Sequence, residues 1–219
     1  MRGVYIIVEG QTEEEFVNSL LKPYFYDNGI YDTRAILLET SQGHKGGDLK
    51  FARYEKNIVD LLKNQKDILV TSLIDFYCLK SDFPNYNEAK EITDKPKRVK
   101  FLEDSIAEKI TNPRFIPYIQ LHEFEGLLFS DIKAFDSIPN INFNNREKLT
   151  EIINTYPNPE LLIDGKETAP SKRLTKLITG YKKILYRNFP LKFLKKTTPI
   201  LFYRNELHII YKLIFSYTP

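Results

Sequence analysis

The stretch that decides the fold is Gly3-Val-Tyr-Ile-Ile-Val-Glu-Gly-Gln-Thr-Glu-Glu-Glu-Phe16, near the N-terminus. Residues 4–8 form an apolar, β-branched run without a polar interruption, which is typical of a central strand buried on both faces. Glu9 ends this run, at the place where open α/β sheets position ligands and catalytic groups. The residue is therefore a candidate functional carboxylate. The alternative is a structural carboxylate that pairs with a cation or a helix N-terminus.

A turn and a helix follow this strand. Gly10 permits a tight turn or a positive φ, and Thr12 with Glu15 predicts a capping box that opens the helix. The apolar spacing predicts a helix over residues 13–26. Pro23 is expected to end or bend it.

A second strand is predicted from Asp67-Ile-Leu-Val-Thr-Ser-Leu-Ile-Asp75, which also closes on a carboxylate. A helix predicted over residues 49–64 precedes it, so the two apolar strands are expected to pair in parallel through a right-handed crossover. Glu9 and Asp75 would then lie side by side at the carboxyl edge of the sheet. On a continuing strand, Tyr77 would point to the same side as Asp75.

A third strand is predicted over residues 115–120, where Pro117 indicates an edge or an irregularity. It leads into His122, Glu123 and Glu125. His122 does not fit a zinc motif and is interpreted as a hydrogen-bonding histidine. Acidic strand ends in a chain with one Cys and three His favour hard oxygen ligands, and hence Mg²⁺ or Mn²⁺.

Composition sets the broad class. A chain of 219 residues, 42% hydrophobic and 28% charged, fits a globular protein of one large or two small domains. No apolar run approaches the roughly 20 residues that span a bilayer, so no membrane association is expected. Cys78 is the only cysteine, which excludes an internal disulfide and favours a cytoplasmic location.

Two further regions bear on nucleic-acid binding. The loop Ser41-Gln-Gly-His-Lys-Gly-Gly-Asp48 holds three of the nine glycines. It is either a phosphate-contacting loop, with His44 and Lys45 as candidate nucleic-acid contacts, or a flexible connector. The net charge of +3 conceals an acidic body and a basic segment after residue 180. That segment is either a polyanion-binding surface or a solvated basic tail.

Five stretches together carry a family resemblance. Val8-Glu-Gly-Gln-Thr-Glu13 resembles the glutamate motif of TOPRIM domains, especially that of the OLD-type nucleases, and Ser72-Leu-Ile-Asp-Phe-Tyr-Cys-Leu79 resembles their aspartate-containing second motif. The other three are Leu49-Lys-Phe-Ala-Arg-Tyr54, Phe115-Ile-Pro-Tyr-Ile-Gln-Leu-His-Glu-Phe-Glu125 and Thr168-Ala-Pro-Ser-Lys-Arg173. The pattern is similar to a TOPRIM-like bacterial family long labelled as of unknown function and often encoded beside AAA-type ATPases. That family includes the TOPRIM effector subunit of the PARIS anti-phage system.

The resemblance implies a set of site residues. Glu9 matches the catalytic glutamate, which acts as general base and acid or as a metal ligand, and Asp75 matches the first metal-binding aspartate. Tyr77 stands where these enzymes usually carry a second acid, and it becomes a candidate nucleic-acid contact instead. Glu123 or Glu125 is expected to complete the metal set.

The basic pair Lys172 and Arg173 is expected to contact phosphate, with Lys172 assisting catalysis; a surface role is the alternative. The resemblance covers about residues 1–181. It implies a TOPRIM-like catalytic core over residues 1–135, a helical extension over 136–181 and a divergent basic and aromatic tail over 182–219.

The expected fold is therefore α/β: a TOPRIM-like, Rossmann-like, mostly parallel sheet flanked by helices, with a helical C-terminal extension. The expected function is a Mg²⁺- or Mn²⁺-dependent endonuclease that cleaves DNA or structured RNA such as tRNA. A nearby-encoded AAA/ABC-type ATPase in an anti-phage defence system, and a second copy of the chain in a homodimer, are the expected protein partners. The alternative is a non-catalytic TOPRIM-like module that docks on such an ATPase.

Overall fold

The computed structural model of the chain describes residues 3–41, 44–45, 49–121, 123–136, 141–157, 159, 162 and 168–181. These residues divide into two compact units, the first ending at Leu121 and the second beginning at Glu123. The domain bounds predicted from the sequence stay predictions. The predicted tail, like His122, lies outside the described residues.

The first unit alternates strands and helices, as the apolar runs and helical periods predict. Its elements in chain order are β1 (Gly3–Val8), α1 (Gln11–Phe16), a π-helical turn (Val17–Leu21), α2 (Lys22–Asp27), β2 (Asp32–Leu37), β3 (Glu39–Ser41), β4 (His44–Lys45), α3 (Phe51–Asn64), β5 (Ile68–Asp75), a 3₁₀ turn (Phe76–Cys78), α4 (Tyr86–Glu91), α5 (Lys95–Lys109), β6 (Phe115–Ile116) and β7 (Ile119–Gln120).

The main sheet has the order β2-β1-β5-β6, with β7 also pairing with β5, and every one of these pairings is parallel. The short strands β3 and β4 form a separate antiparallel pair. The predicted α/β fold with a mostly parallel, Rossmann-like sheet is confirmed. The predicted parallel pair of β1 and β5 is confirmed as well, with Val8 in register with Leu73.

Strand β1 is buried along its whole length, as expected of a strand covered on both faces. Tyr5 and Ile7 belong to the core on the face that carries α3 and α5, where Tyr54 and Leu102 also lie. Residues alternate across a strand, so Val4, Ile6 and Val8 point to the opposite face. The sheet therefore lies between two layers of helix.

The first helical segment differs from two predictions. Helix α1 begins at Gln11 after Gly10, which has φ −136° and no side-chain cap, so the predicted capping box of Thr12 and Glu15 is wrong. Thr12 is the second residue of this helix, whereas a capping hydroxyl must belong to the residue just before the helix. Of the two effects predicted for Pro23, ending the helix is wrong: α2 carries Pro23 in its first turn, where a missing N–H is tolerated, and a π-helical turn directly precedes it. The predicted bend stays a prediction.

The third predicted strand is interrupted, as Pro117 indicates. Strands β6 and β7 both pair with β5, and Pro117 and Tyr118 lie between them, outside the strand ladder. Hydrogen-bonded pairing with β5 resumes at Ile119, and Gln120 lies in register with Asp75.

The second unit is helical in its described part, in agreement with the predicted helical extension. Its elements are two 3₁₀ segments (Phe124–Ser130 and Ile132–Phe135), α6 (Phe143–Thr155) and α7 (Pro170–Leu177). They enclose a small core of their own, formed by Leu128, Phe129, Phe135, Leu149, Leu162, Leu174 and Ile178. No helix in the described part of the chain is long and apolar enough to cross a membrane.

Candidate functional site

Glu9 and Asp75, the two predicted site carboxylates, lie at the carboxyl ends of neighbouring strands of the sheet. Val8 is in register with Leu73 in the neighbouring strand, so Glu9 lies one residue beyond the last pair and Asp75 one residue further. Strands about 4.8 Å apart with a rise of about 3.3 Å per residue put the two Cα atoms roughly 6 Å apart. The backbone register therefore places two acidic residues next to each other at this edge, and the shared site predicted for their side chains stays a prediction.

The Glu9 carboxylate is half-buried. Among the residues that the structure describes, none donates a hydrogen bond to it or forms an ion pair with it. The alternative role as a structural carboxylate requires such a partner, and the described part of the chain does not supply one. Burying part of a charge without compensation costs free energy, and functional sites are where such costs are usually retained.

Strand β5 ends at Asp75, and the 3₁₀ turn of Phe76–Cys78 follows at once. The expectation that Tyr77 continues the strand on the same side as Asp75 is therefore wrong. The turn rotates the chain, and Tyr77 is 58% exposed next to a half-buried Asp75. A tyrosine that does not continue the strand is no direct replacement for an acid in the sheet.

Glu13 is a carboxylate at this site that the sequence predictions missed. It is only 9% exposed, and its Oε2 lies 2.8 Å from where a Cβ on Gly10 would stand. Gly10 has an extended φ of −136°, so the glycine allows a close approach rather than a left-handed turn. The signal in the sequence is the helical spacing: Glu13 precedes the buried Phe16 and Val17 by three and four residues and shares their face.

Gln120 is a second residue that the predictions left out. It is 2% exposed, and its partner in register is Asp75 in the adjacent strand. The Tyr118 hydroxyl donates to the Gln120 Oε1 at 2.9 Å, which fixes the orientation of the amide. The signal available in the sequence was a polar amide side chain at the end of an apolar run.

The two acids that follow the third strand have partners within the second unit. The Glu123 Oε2 accepts a hydrogen bond from the backbone N–H of Ser171 at 3.0 Å, in the first turn of α7. Glu125 is 2% exposed, and its Oε1 accepts from the Tyr181 hydroxyl at 3.4 Å. Both carboxylates thus contribute to the structure of that unit, and their predicted metal-binding role stays a prediction.

The predicted basic pair has divided roles in the same unit. Lys172 is exposed. The Arg173 guanidinium donates to the carbonyls of Thr168 at 2.8 Å and Leu162 at 3.2 Å, and it lies 5.8 Å from the centroid of the Tyr156 ring. Arg173 therefore ties the start of α7 to its surroundings, which is a structural role.

The candidate phosphate-contacting loop is described only in part. His44 and Lys45 form β4, in register with Ser41 and Glu39 of β3. The loop glycines around them lie outside the described residues, so the nucleic-acid contacts predicted here stay predictions.

The described residues contain no group of three or more His, Cys, Asp or Glu side chains that could hold a metal ion. The donors that fit one are the pair Glu9 and Asp75, which offer hard carboxylate oxygens. Mg²⁺ usually keeps several waters and binds proteins through one or two carboxylates together with substrate phosphates. A pair of acids at one sheet edge therefore fits Mg²⁺ or Mn²⁺, and it does not fit a closed, fully protein-ligated site.

This fold and site define an α/β protein with a Rossmann-like parallel sheet and acidic residues at its carboxyl edge. The chain belongs to the DUF4276 family, described as a domain of unknown function, whose family model matches residues 8–189. No curated protein and no solved structure matches the chain.

Proposed function

We propose that this protein is a metal-dependent endonuclease of the TOPRIM type, hydrolysing phosphodiester bonds in DNA or in structured RNA such as tRNA. One observation carries the proposal: the half-buried Glu9 has no structural partner among the described residues and lies one strand away from Asp75. Acids arranged in this way at a sheet edge suit the chemistry of a phosphate ester and a hard cation.

Glu9 and Asp75 are the proposed ligands of Mg²⁺ or Mn²⁺. Glu13 is a further carboxylate beside Gly10, and Glu123 or Glu125 is the additional ligand proposed from the sequence. When bound, the cation would polarise a phosphate oxygen and lower the pKa of a coordinated water.

The remaining steps belong to side chains of the chain. Water attacks phosphorus and the P–O ester bond breaks, while Glu9 accepts the proton of the attacking water as general base and returns a proton to the leaving oxygen. The exposed Lys172 contributes positive charge towards the phosphate. The Arg173 guanidinium already donates to two backbone carbonyls. A phosphate contact by Arg173 would therefore use its remaining N–H groups.

The proposed biological setting rests on the family resemblance described above. It includes control by an AAA/ABC-type ATPase encoded nearby, a role in anti-phage defence, a homodimeric assembly and a cytoplasmic location. The single cysteine is compatible with a reducing compartment.

One observation favours a second candidate, a non-catalytic TOPRIM-like module that binds an ATPase: Glu123 and Glu125 have partners in the second unit. In the sequence, Tyr77 stands where the resembled enzymes usually carry a second acid. The Tyr77→Asp variant separates the two candidates. If the parent protein cleaves nothing and Tyr77→Asp does, the parent is a degenerate module.

The test of the proposed function is incubation with plasmid DNA and with total tRNA, in Mg²⁺, in Mn²⁺ and in EDTA, with and without the neighbouring ATPase. We expect cleavage in Mn²⁺ or Mg²⁺, none in EDTA, and none for Glu9→Gln with an unchanged circular dichroism spectrum. Cleavage that survives Glu9→Gln or EDTA would reject the proposed site. Unfolding of Glu9→Gln would show that this residue is structural.

A further inference from the structure

An exposed aromatic ring stands directly beside the proposed reacting centre. Tyr77 is 58% exposed, although it follows Asp75 by only two residues. Its neighbour Phe76 is 7% exposed and contacts the Tyr77 ring edge to face, with centroids 5.7 Å apart and an interplanar angle of 79°. The turn therefore buries one aromatic ring and presents the next to solvent.

The buried ring is held from several sides. Phe76 stacks on Tyr86 with a centroid distance of 6.2 Å and an angle of 22°, and the Arg98 guanidinium lies 5.6 Å from its centroid. The Lys90 Nζ lies 5.9 Å from the centroid of Tyr86. Tyr77 is thus the outer end of a row of three rings that carries two cations along it.

Exposure alone does not make an aromatic residue functional. Tyr31 is 70% exposed and makes a similar edge-to-face contact with Tyr26, at 5.1 Å and 77°. Tyr31 directly precedes β2, at the amino edge of the parallel sheet, whereas Tyr77 follows β5 at its carboxyl edge. Tyr77 differs from Tyr31 in two ways: it lies beside Asp75, and the rings next to it carry the cations Arg98 and Lys90.

We propose that Tyr77 is a stacking platform for an unpaired nucleobase next to the scissile phosphate. Base–aromatic stacking beside positively charged groups is how proteins hold single-stranded nucleic acid. The inference rests on the proposed function and narrows its substrate: duplex bases already stack on each other, and presenting one to Tyr77 requires extrusion. The preferred substrate is a single strand, loop or bulge, and either DNA or RNA offers that chemistry.

The chain contains no tryptophan, which allows a direct test of stacking. Tyr77→Trp creates a single tryptophan, which can be excited selectively over tyrosine, at the platform, and Tyr31→Trp creates one at the control position, both in a Glu9→Gln background that leaves the nucleic acid intact. Each is titrated with a mixed-sequence 12-nucleotide single strand of DNA or RNA, with the same strand made abasic, and with the matching duplex.

We expect the base-bearing single strands to quench Tyr77→Trp, and the abasic strand and the duplex to quench it much less. Tyr31→Trp should not respond. Equal quenching by the abasic strand or the duplex would overturn the proposal, as would an equal response of Tyr31→Trp. A response to only one of DNA and RNA supports the proposal and identifies the strand type.

A substitution series then separates the ring from its hydroxyl. Tyr77→Phe should bind the single strand within about twofold of the parent, and Tyr77→Ala roughly 5- to 150-fold more weakly. If Tyr77→Phe loses as much as Tyr77→Ala, the hydroxyl is the contact and stacking is rejected. Quenching without any cleavage by the parent would sustain the platform while rejecting the nuclease. Cleavage that is unchanged in Tyr77→Ala, without quenching, would reject the platform alone.

Discussion

The Ser72 hydroxyl is bonded to both backbone groups of Tyr118. Its Oγ accepts from the Tyr118 N–H at 3.0 Å and donates to the Tyr118 carbonyl at 2.9 Å, while the Tyr54 hydroxyl donates to the same oxygen at 2.8 Å. One donor and two acceptor sites are thereby all used. This side chain of β5 replaces the ladder bonds lost where Pro117 and Tyr118 interrupt the strand, and pairing of Gln120 with Asp75 can resume beyond them.

Ser72→Ala should therefore destabilise the protein by about 2–4 kcal/mol, because it removes one partner from each of two buried backbone groups. Tyr54→Phe is the matched control. It removes one hydrogen bond and leaves Ser72 on Tyr118, so a loss of about 0.5–1.5 kcal/mol is expected. Urea unfolding followed by circular dichroism measures both. Equal losses for the two variants would contradict the role assigned to Ser72.

Gly10→Ala should disturb the site rather than the fold. The φ of −136° suits alanine, but the new Cβ would lie 2.8 Å from the Glu13 Oε2 and displace that carboxylate. We expect stability to change by less than about 1 kcal/mol and Mn²⁺ affinity to fall roughly tenfold.

Gly29→Ala is the matched control for Gly10→Ala. Gly29 has φ +85° and nothing within 4 Å of its Cβ position, so alanine there should cost about 1 kcal/mol of stability and leave Mn²⁺ binding unchanged. If Gly10→Ala lowers stability as much as Gly29→Ala and leaves Mn²⁺ affinity intact, Gly10 is a turn glycine only.

The acid stability of the protein should depend on Asp32. Its partial burial acts to raise the pKa of the carboxyl, but hydrogen bonds from Arg34 at 2.7 Å and Tyr5 at 3.0 Å, with the charges of Arg34 and Lys22, hold the pKa below its usual value. A carboxyl with a lowered folded-state pKa stabilises the protein above its unfolded pKa of about 3.9, and that contribution is lost as the pH falls through the folded pKa.

Comparison of the parent with Asp32→Asn tests this dependence. The difference in unfolding free energy should be constant between pH 5 and 7, at no more than about 1 kcal/mol because the pair is exposed, and should shrink below about pH 4. Urea unfolding at intervals from pH 3 to 7 measures it. A difference that does not change over this range would show that the Asp32 interactions do not affect stability.

Substitutions at Glu123 should show its capping role. Glu123→Ala should cost about 1 kcal/mol, because the Ser171 N–H at the start of α7 loses its acceptor. Glu123→Gln should restore most of that stability, since an amide oxygen can also accept. Equal stability of Glu123→Ala and the parent would reject the cap. In the folded Glu123→Gln variant, a loss of Mn²⁺ affinity would identify Glu123 as a metal ligand, and an unchanged affinity would leave capping as its role.

The strand ends of the fold were predictable because they depend on local pattern. One apolar run ends at Glu9 and another ends at Asp75, and each run predicts a strand. The helix predicted between them indicates that the two strands pair in parallel, as they do. The interruption at Pro117 was predictable too, since a residue without an N–H cannot complete a ladder.

The residues that sequence reasoning missed depend on contacts made elsewhere. Helical spacing puts Glu13 on the face of Phe16 and Val17, but its burial and the close approach of its carboxylate to Gly10 depend on how the helix packs. Glu123 gains its structural partner from Ser171, 48 residues later in the chain. The π-helical turn that precedes Pro23 could not be predicted either, because helix irregularities depend on how the helix packs against its neighbours.

The most direct test of the central claim is a double-mutant cycle on Mn²⁺ affinity, measured by calorimetry for the parent, Glu9→Gln, Asp75→Asn and the double variant. If the two carboxylates hold one cation, each single variant should lose at least roughly tenfold in affinity, and the double variant should lose much less than the product of the two losses. All four proteins should unfold at similar urea concentrations. Multiplicative losses, or Mn²⁺ binding equal in all four proteins, would contradict a shared metal site at the carboxyl edge of the sheet.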